Sequence, residues 1–63
     1  MTDERLCALL RAALAQEGGN SVFVNTGDAE EAENMGLVEV LGPGRVLLTQ
    51  AGRKRLEQCP PEA

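Results

Sequence analysis

The chain has 63 residues, of which 43% are hydrophobic, and its net charge is −4. A chain of this length forms one domain at most, and it buries only about 60% of the surface that its unfolded form exposes. Phe23 is the single aromatic residue and there is no histidine, which excludes a large aromatic core and any chemistry that requires an imidazole. We therefore expect a thin aliphatic core and a homodimer that enlarges it.

Residues 2–17 have the pattern of a capped amphipathic helix. Thr2 is a helix-capping residue, and Asp3 and Glu4 follow in the first turn, where the helix dipole favours negative charge. Apolar residues recur at helical spacing, which predicts one buried face, while Gln16 is expected to point outward. Four leucines form the candidate dimer face: Leu6, Leu9, Leu10 and Leu14.

Residues 21–25, SVFVN, are β-branched and aromatic and lie between turn-forming residues, which predicts a short strand. A second helix is predicted over residues 26–35, capped by Asn25 or Thr26 and ended by Gly36. Its small apolar residues favour close approach to a neighbouring helix. Its four carboxylates form a candidate docking surface for a basic partner: Asp28, Glu30, Glu31 and Glu33.

Residues 37–41 and 45–49 are strand-like and flank Gly42-Pro43-Gly44. Proline presets φ and glycine permits a positive φ, so the pattern predicts a β-hairpin. Side-chain alternation places Val38 and Val40 on one face of the first strand, and Val46 and Leu48 on one face of the second.

Thr49 is expected to cap a last helix, which Pro60-Pro61 prevents from continuing. Three of its residues are expected to point inward: Gly52, Leu56 and Cys59. The order of helix, strand, helix, hairpin and helix predicts an α+β domain over residues 1–59. Residues 60–63 are expected to form a frayed tail.

The run from Gly36 to Leu56 combines a Gly-Leu-Val helix end, a hairpin and a Leu-Thr-x-x-Gly-Arg helix start, and in this the distal half of the chain resembles a winged-helix domain. Many bacterial regulators of that family have a helix ending in Gly-Leu-Val, then a strand–wing–strand with an arginine after the wing tip. The pattern continues with Leu-Thr, two variable residues and Gly-Arg. It ends with a leucine three residues further on, in the last helix. This chain has the same features in the same order: Gly36-Leu37-Val38, Arg45, Leu48-Thr49, Gly52-Arg53 and Leu56.

The resemblance covers residues 29–58 and implies a small winged-helix-like fold of order α-β-α-β-β-α, with the hairpin as the wing. A full winged helix has two helices between its first strand and its wing. Only about ten residues separate Asn25 from Gly36, which is enough for one helix. The implied fold is therefore one helix short of the family pattern.

The family's usual function is DNA binding, and the resemblance implies phosphate contacts from the wing and the last helix, by Arg45, Arg53, Lys54 and Arg55. DNA binding draws much of its free energy from the neutralisation of phosphates. Residues 25–44, which include the helix in the recognition position, carry a net charge of −5. The basic residues also have an ordinary interpretation as a water-exposed helix face, with Arg53 paired to Glu57. Nucleic acid is therefore a disfavoured partner.

Cys7 and Cys59 are too few for a structural zinc site in a chain without histidine. A disulfide between the terminal helices is an open alternative. The start of the chain lacks the features of a signal peptide, which predicts a cytoplasmic location, where disulfides are rare. We therefore expect a buried thiol at Cys7 and a partly exposed one at Cys59.

The sequence offers few residues for catalysis, because Ser21 is the only serine and neither thiol has an imidazole to activate it. The apolar stretch around Arg11 is too short to span a bilayer. We expect no catalytic residue, metal, cofactor or membrane contact. The predicted function is a non-catalytic, self-associating protein-interaction module with a further protein partner. The alternative is a DNA-binding accessory or transcription-regulator domain.

Overall fold

The computed structural model describes residues 2–60, which form three helices and one two-stranded antiparallel sheet. The elements are α1 (Asp3–Glu17), α2 (Thr26–Asn34), β1 (Val38–Gly42), β2 (Arg45–Leu48) and α3 (Gln50–Glu57). The predicted α+β class is confirmed. No helix within this range is long and apolar enough to cross a membrane. Of the predicted frayed tail, residues 61–63 lie outside the described residues.

The helices begin at the predicted capping residues. The Thr2 hydroxyl accepts a hydrogen bond from the backbone N–H of Arg5 at 3.2 Å. Asn25, rather than Thr26, caps α2, because its side-chain oxygen accepts from two backbone N–H groups in the first turn. Gly36 has a φ of 78° and lets the chain leave α2 in the left-handed conformation.

The core lies between the inward face of the hairpin and the two longer helices. α1 packs mainly on β2, and α2 packs on β1. Ala29 and Ala32, the small apolar residues of α2, are buried in this core. The buried cluster contains Leu6, Leu9, Leu10, Ala13, Ala29, Ala32, Leu37, Val38, Val46 and Leu48.

The strand predicted over residues 21–25 does not form. One backbone hydrogen bond joins the segment to the hairpin turn just before β2, from the N–H of Val24 to the carbonyl of Gly44 at 3.1 Å. Val24 packs against the core, and Phe23 is exposed. The order is therefore α-α-β-β-α, without the first strand of the expected arrangement.

The Gln16 side chain explains why this strand is missing. Its carboxamide oxygen accepts from the backbone N–H of Val46 at 3.0 Å, and its amide donates to the carbonyls of Gly44, at 2.9 Å, and Val22. A third strand beside β2 would need the same Val46 N–H for its ladder. Gln16 thus bridges the segment and the sheet, and the prediction that it points outward is wrong.

α3 is seated on the turn that ends α2. The Thr49 hydroxyl donates to the carbonyl of Gly36 at 2.7 Å and accepts from the N–H of Gly52 at 3.0 Å. The N–H of Thr49 donates to the carbonyl of Leu37 at 3.1 Å. A Cβ atom at Gly52 would lie 1.9 Å from the Leu37 oxygen. Only glycine therefore permits α3 to lie this close to the Leu37 carbonyl. This agrees with the prediction that Gly52 points inward.

We predict that Gly52→Ala lowers the free energy of unfolding by about 2–3 kcal/mol, because the methyl group would force α3 off the Leu37 carbonyl. In an unconstrained helix the same change gains about 1 kcal/mol, so the sign of the effect is diagnostic. Urea unfolding measures it. Gly42→Ala is the matched control, since a Cβ there meets nothing within 4 Å. Equal stability of Gly52→Ala and the wild type would contradict the contact.

We predict that Gln16→Glu lowers the free energy of unfolding by about 1–2 kcal/mol, because a carboxylate has no donor for the Gly44 and Val22 carbonyls. Thermal unfolding at neutral pH measures the change. Gln50→Glu adds the same charge at an exposed position in the first turn of α3. A loss of similar size in that control would show that charge, rather than the bridge, is responsible.

Candidate functional site

The predicted acidic surface on α2 is partly occupied by contacts within the chain. Asp28 is ion-paired with Arg5 at 3.0 Å, and its side chain is only 19% exposed. The Glu33 carboxylate accepts from the backbone N–H of Val40 at 2.9 Å, at the outer edge of β1. Glu30 and Glu31 are exposed. Asp28 and Glu33 thus have partners within the chain, which weakens the case for a docking surface.

The predicted basic group is divided by ion pairs to α1. Arg53 pairs with Glu17 rather than with Glu57, and Arg55 lies 3.3 Å from Asp3. The two arginines are two residues apart, so they project from opposite sides of α3 and reach opposite ends of α1. Pairs this exposed contribute at most about 1 kcal/mol each, but they lower the positive charge that α3 offers to a ligand.

The other two basic residues, Arg45 and Lys54, are exposed and make no ion pair within residues 2–60. Arg45 begins β2 directly after the hairpin turn, whereas Lys54 is on α3. The structure therefore brings two unneutralised cations to two different elements. A DNA-binding face normally clusters more basic charge than this.

The predicted dimer face on α1 is used inside the chain. Leu6, Leu9 and Leu10 are at most 5% exposed and pack in the core, and only Leu14 is exposed. The prediction that these leucines face a second copy is wrong for three of the four. α1 is the longest helix, and the hairpin needs its apolar face as a cover.

Cys7 and Cys59 form a disulfide, with their Cα atoms 5.9 Å apart, so the expectation of two thiols is wrong. Cys7 is buried as predicted, and Cys59 is half-buried. The bond joins α1 to the residues after α3, where Arg11 also donates to the carbonyl of Pro60. The cytoplasmic location stays a prediction, and the bond argues against it, since disulfides persist mainly in oxidising compartments.

The outward side of the hairpin is a surface that the sequence analysis missed. It consists of Glu39, Leu41, Arg45 and Leu47, all exposed, and we call it the hairpin face. No segment within residues 2–60 covers it, and its two leucines are 59% and 38% exposed. The signal was available, because alternation places these residues opposite the inward valines.

A side chain occupies one backbone N–H at each edge of the hairpin. Gln16 occupies the Val46 N–H on β2, and Glu33 occupies the Val40 N–H on β1. These contacts hinder a partner strand from adding to either edge. No such contact crosses the hairpin face within residues 2–60, and its leucines are exposed.

A shallow groove lies between α1 and the segment that precedes α2. Ala8, Ala12 and Phe23 line it, the Arg5–Asp28 pair lies beside them, and its volume is about 240 Å³. Pockets that hold small molecules usually exceed about 300 Å³ and contain convergent polar groups. The only buried residues in the described chain are apolar or glycine, so this groove has the character of a surface depression.

We predict that reduction of the disulfide lowers the free energy of unfolding by about 2–4 kcal/mol, because the bond closes a long loop in the unfolded chain. That is most of the roughly 3–5 kcal/mol that a core of this size supplies. Urea unfolding with and without a reductant measures the loss. The Cys7→Ala/Cys59→Ala variant should have the same free energy of unfolding as the reduced chain, and the reductant should not change it. Equal stability of the oxidised and reduced wild type would contradict the prediction.

Comparisons with known proteins give no family assignment. No protein-family model matches the chain, and searches of curated proteins and of solved structures find no match either.

Proposed function

We propose that this chain is a non-catalytic protein-interaction module of winged-helix type that associates with itself. The observation that carries the proposal is the hairpin face, where Leu41 and Leu47 are exposed on the outward side of the sheet and nothing within residues 2–60 covers them. Exposed apolar side chains grouped on one face favour association with another protein surface. The side chains that occupy one N–H at each edge of the sheet favour association through the face instead of the edges.

The winged-helix part of the proposal is supported by the seat of α3. Four of the residues that carry the resemblance are in contact, since Thr49 bonds Gly36 and Leu37, and Gly52 lies against the Leu37 carbonyl. That contact gives a physical reason for these residue types to occur together at their spacing. The helix, hairpin and helix that they join are arranged compatibly with the distal half of a winged helix.

DNA binding is disfavoured by charge. The net charge is −4, and α2 offers carboxylates where a recognition helix would offer cations. Arg53 and Arg55 are paired with carboxylates of α1. A duplex would have to compete for these arginines while it was repelled by α2.

Support for a non-catalytic role comes from the composition and from the site. The chain has no histidine, and both cysteines are in the disulfide, so neither offers a thiolate nucleophile while the bond is intact. The carboxylates of α2 lie on its surface or hold backbone and arginine partners.

Sedimentation over a concentration series, with and without a DNA duplex at low salt, tests the proposal. We expect the mass to rise above that of the 6.7 kDa chain as concentration increases, without comigration with the duplex. Comigration that is lost on raising the salt, and on Lys54→Glu, would replace the proposal with the DNA-binding alternative. A chain that stays monomeric up to about 1 mM would contradict self-association.

A further inference from the structure

We infer that a second copy of this chain packs on the hairpin face about a twofold axis that runs along the line from Leu41 to Leu47. The inference rests on the proposed self-association, and it specifies the surface, the occupant and the symmetry. It follows from the pattern of two leucines and two opposite charges on a face that is otherwise uncovered.

The strand register fixes this pattern. Glu39 is paired with Leu47, and Arg45 is paired with Gly42 across a bulge that follows Val40. Leu41, at the bulge, is exposed beside Arg45. The two leucines therefore lie on one diagonal of the face and the two charges on the other, with diagonal neighbours about 7–8 Å apart.

A twofold axis along the leucine diagonal makes the face complementary to itself. The rotation places Leu41 on Leu41 of the second copy and Leu47 on its own equivalent. It exchanges the ends of the other diagonal, so Glu39 faces Arg45 of the second copy and Arg45 faces Glu39. An isologous contact requires this self-complementarity.

Other orientations of the twofold axis do not pair leucine with leucine and glutamate with arginine. An axis parallel to the strands places Leu41 on the guanidinium of Arg45 and Leu47 on the carboxylate of Glu39. An axis across the strands places Leu41 on Glu39 and Leu47 on Arg45. Both would bury a charge against a leucine without a partner, which is costly. An axis along the charged diagonal places Glu39 on Glu39 and Arg45 on Arg45, so like charges meet. Charge complementarity therefore selects the leucine diagonal.

The charges on the face are available for this exchange. Glu39 and Arg45 make no ion pair within residues 2–60, in contrast to Arg5, Arg53 and Arg55. A four-residue face belongs to the small interfaces, below about 1,200 Å² in total, that form transient complexes. We therefore expect a weak dimer whose population depends strongly on concentration.

Charge reversal tests the inference by sedimentation. Glu39→Arg places arginine against arginine across the axis, and Arg45→Glu places glutamate against glutamate, so each variant alone should dimerise at least about tenfold more weakly than the wild type. An equimolar mixture of the two variants should recover the association, because every contact in the mixed dimer is again between opposite charges. The Glu39→Arg/Arg45→Glu variant should recover it as well.

A cysteine placed on the axis gives a second measurement. Leu41→Cys lies against its own equivalent, so mild oxidation should link two copies and double the mass on a non-reducing gel. Met35→Cys is the matched control, because Met35 is similarly exposed at 54% but lies after α2, away from the hairpin face. Circular dichroism of all the variants checks that the fold is retained.

The outcomes separate the inference from the proposed function. Wild-type self-association that neither charge variant weakens, or that the mixture fails to restore, overturns the inference and leaves the proposed function standing. A wild type that stays monomeric up to about 1 mM overturns the proposed function and the inference together. Cross-linking of Met35→Cys as efficiently as Leu41→Cys also overturns the inferred axis.

Discussion

The contact between the start of α3 and the turn that ends α2 determines the rest of the structure. Gly52 lets the helix backbone lie against the Leu37 carbonyl, and Thr49 bonds both residues of the turn. The direction of α3 is set there, so the far end of the helix meets α1 and Cys59 meets Cys7. The hairpin between these anchors is short, and one of its faces is held against the core while the other points outward.

The two-stranded sheet depends on side chains that close its edges. A lone hairpin is marginally stable in water, and its unpaired edges invite pairing with other chains. Gln16 and Glu33 satisfy one edge N–H on each strand, and α1 and α2 cover the inward face. Edge bonds made by side chains help to stabilise a small sheet that has no third strand.

Short sequence patterns correctly predicted the features that depend only on residues close together in the sequence. The caps at Thr2 and Thr49 and the hairpin turn are settled within a few residues, and the sequence analysis identified all three. Gln16 and the Cys7–Cys59 bond join residues far apart in the chain, so their contacts follow only once the packing is known. The missing strand also depends on a distant contact. Residues 21–25 have β-propensity, but the Gln16 side chain from α1 occupies the Val46 N–H that a third strand would need. Alternation could have predicted which residues form the hairpin face. It could not predict that no other element within residues 2–60 covers that face.

The position of the disulfide also decides how the molecule responds to tension. Cys7 and Cys59 are near opposite ends of the described chain, yet their Cα atoms are 5.9 Å apart. A pull applied through residues 2 and 60 is transmitted across the covalent bond, and the segment between the two cysteines bears almost no load. In the oxidised state the folded unit therefore behaves as a short, inextensible link, whereas in the reduced state the same pull acts on α1 and α3 directly.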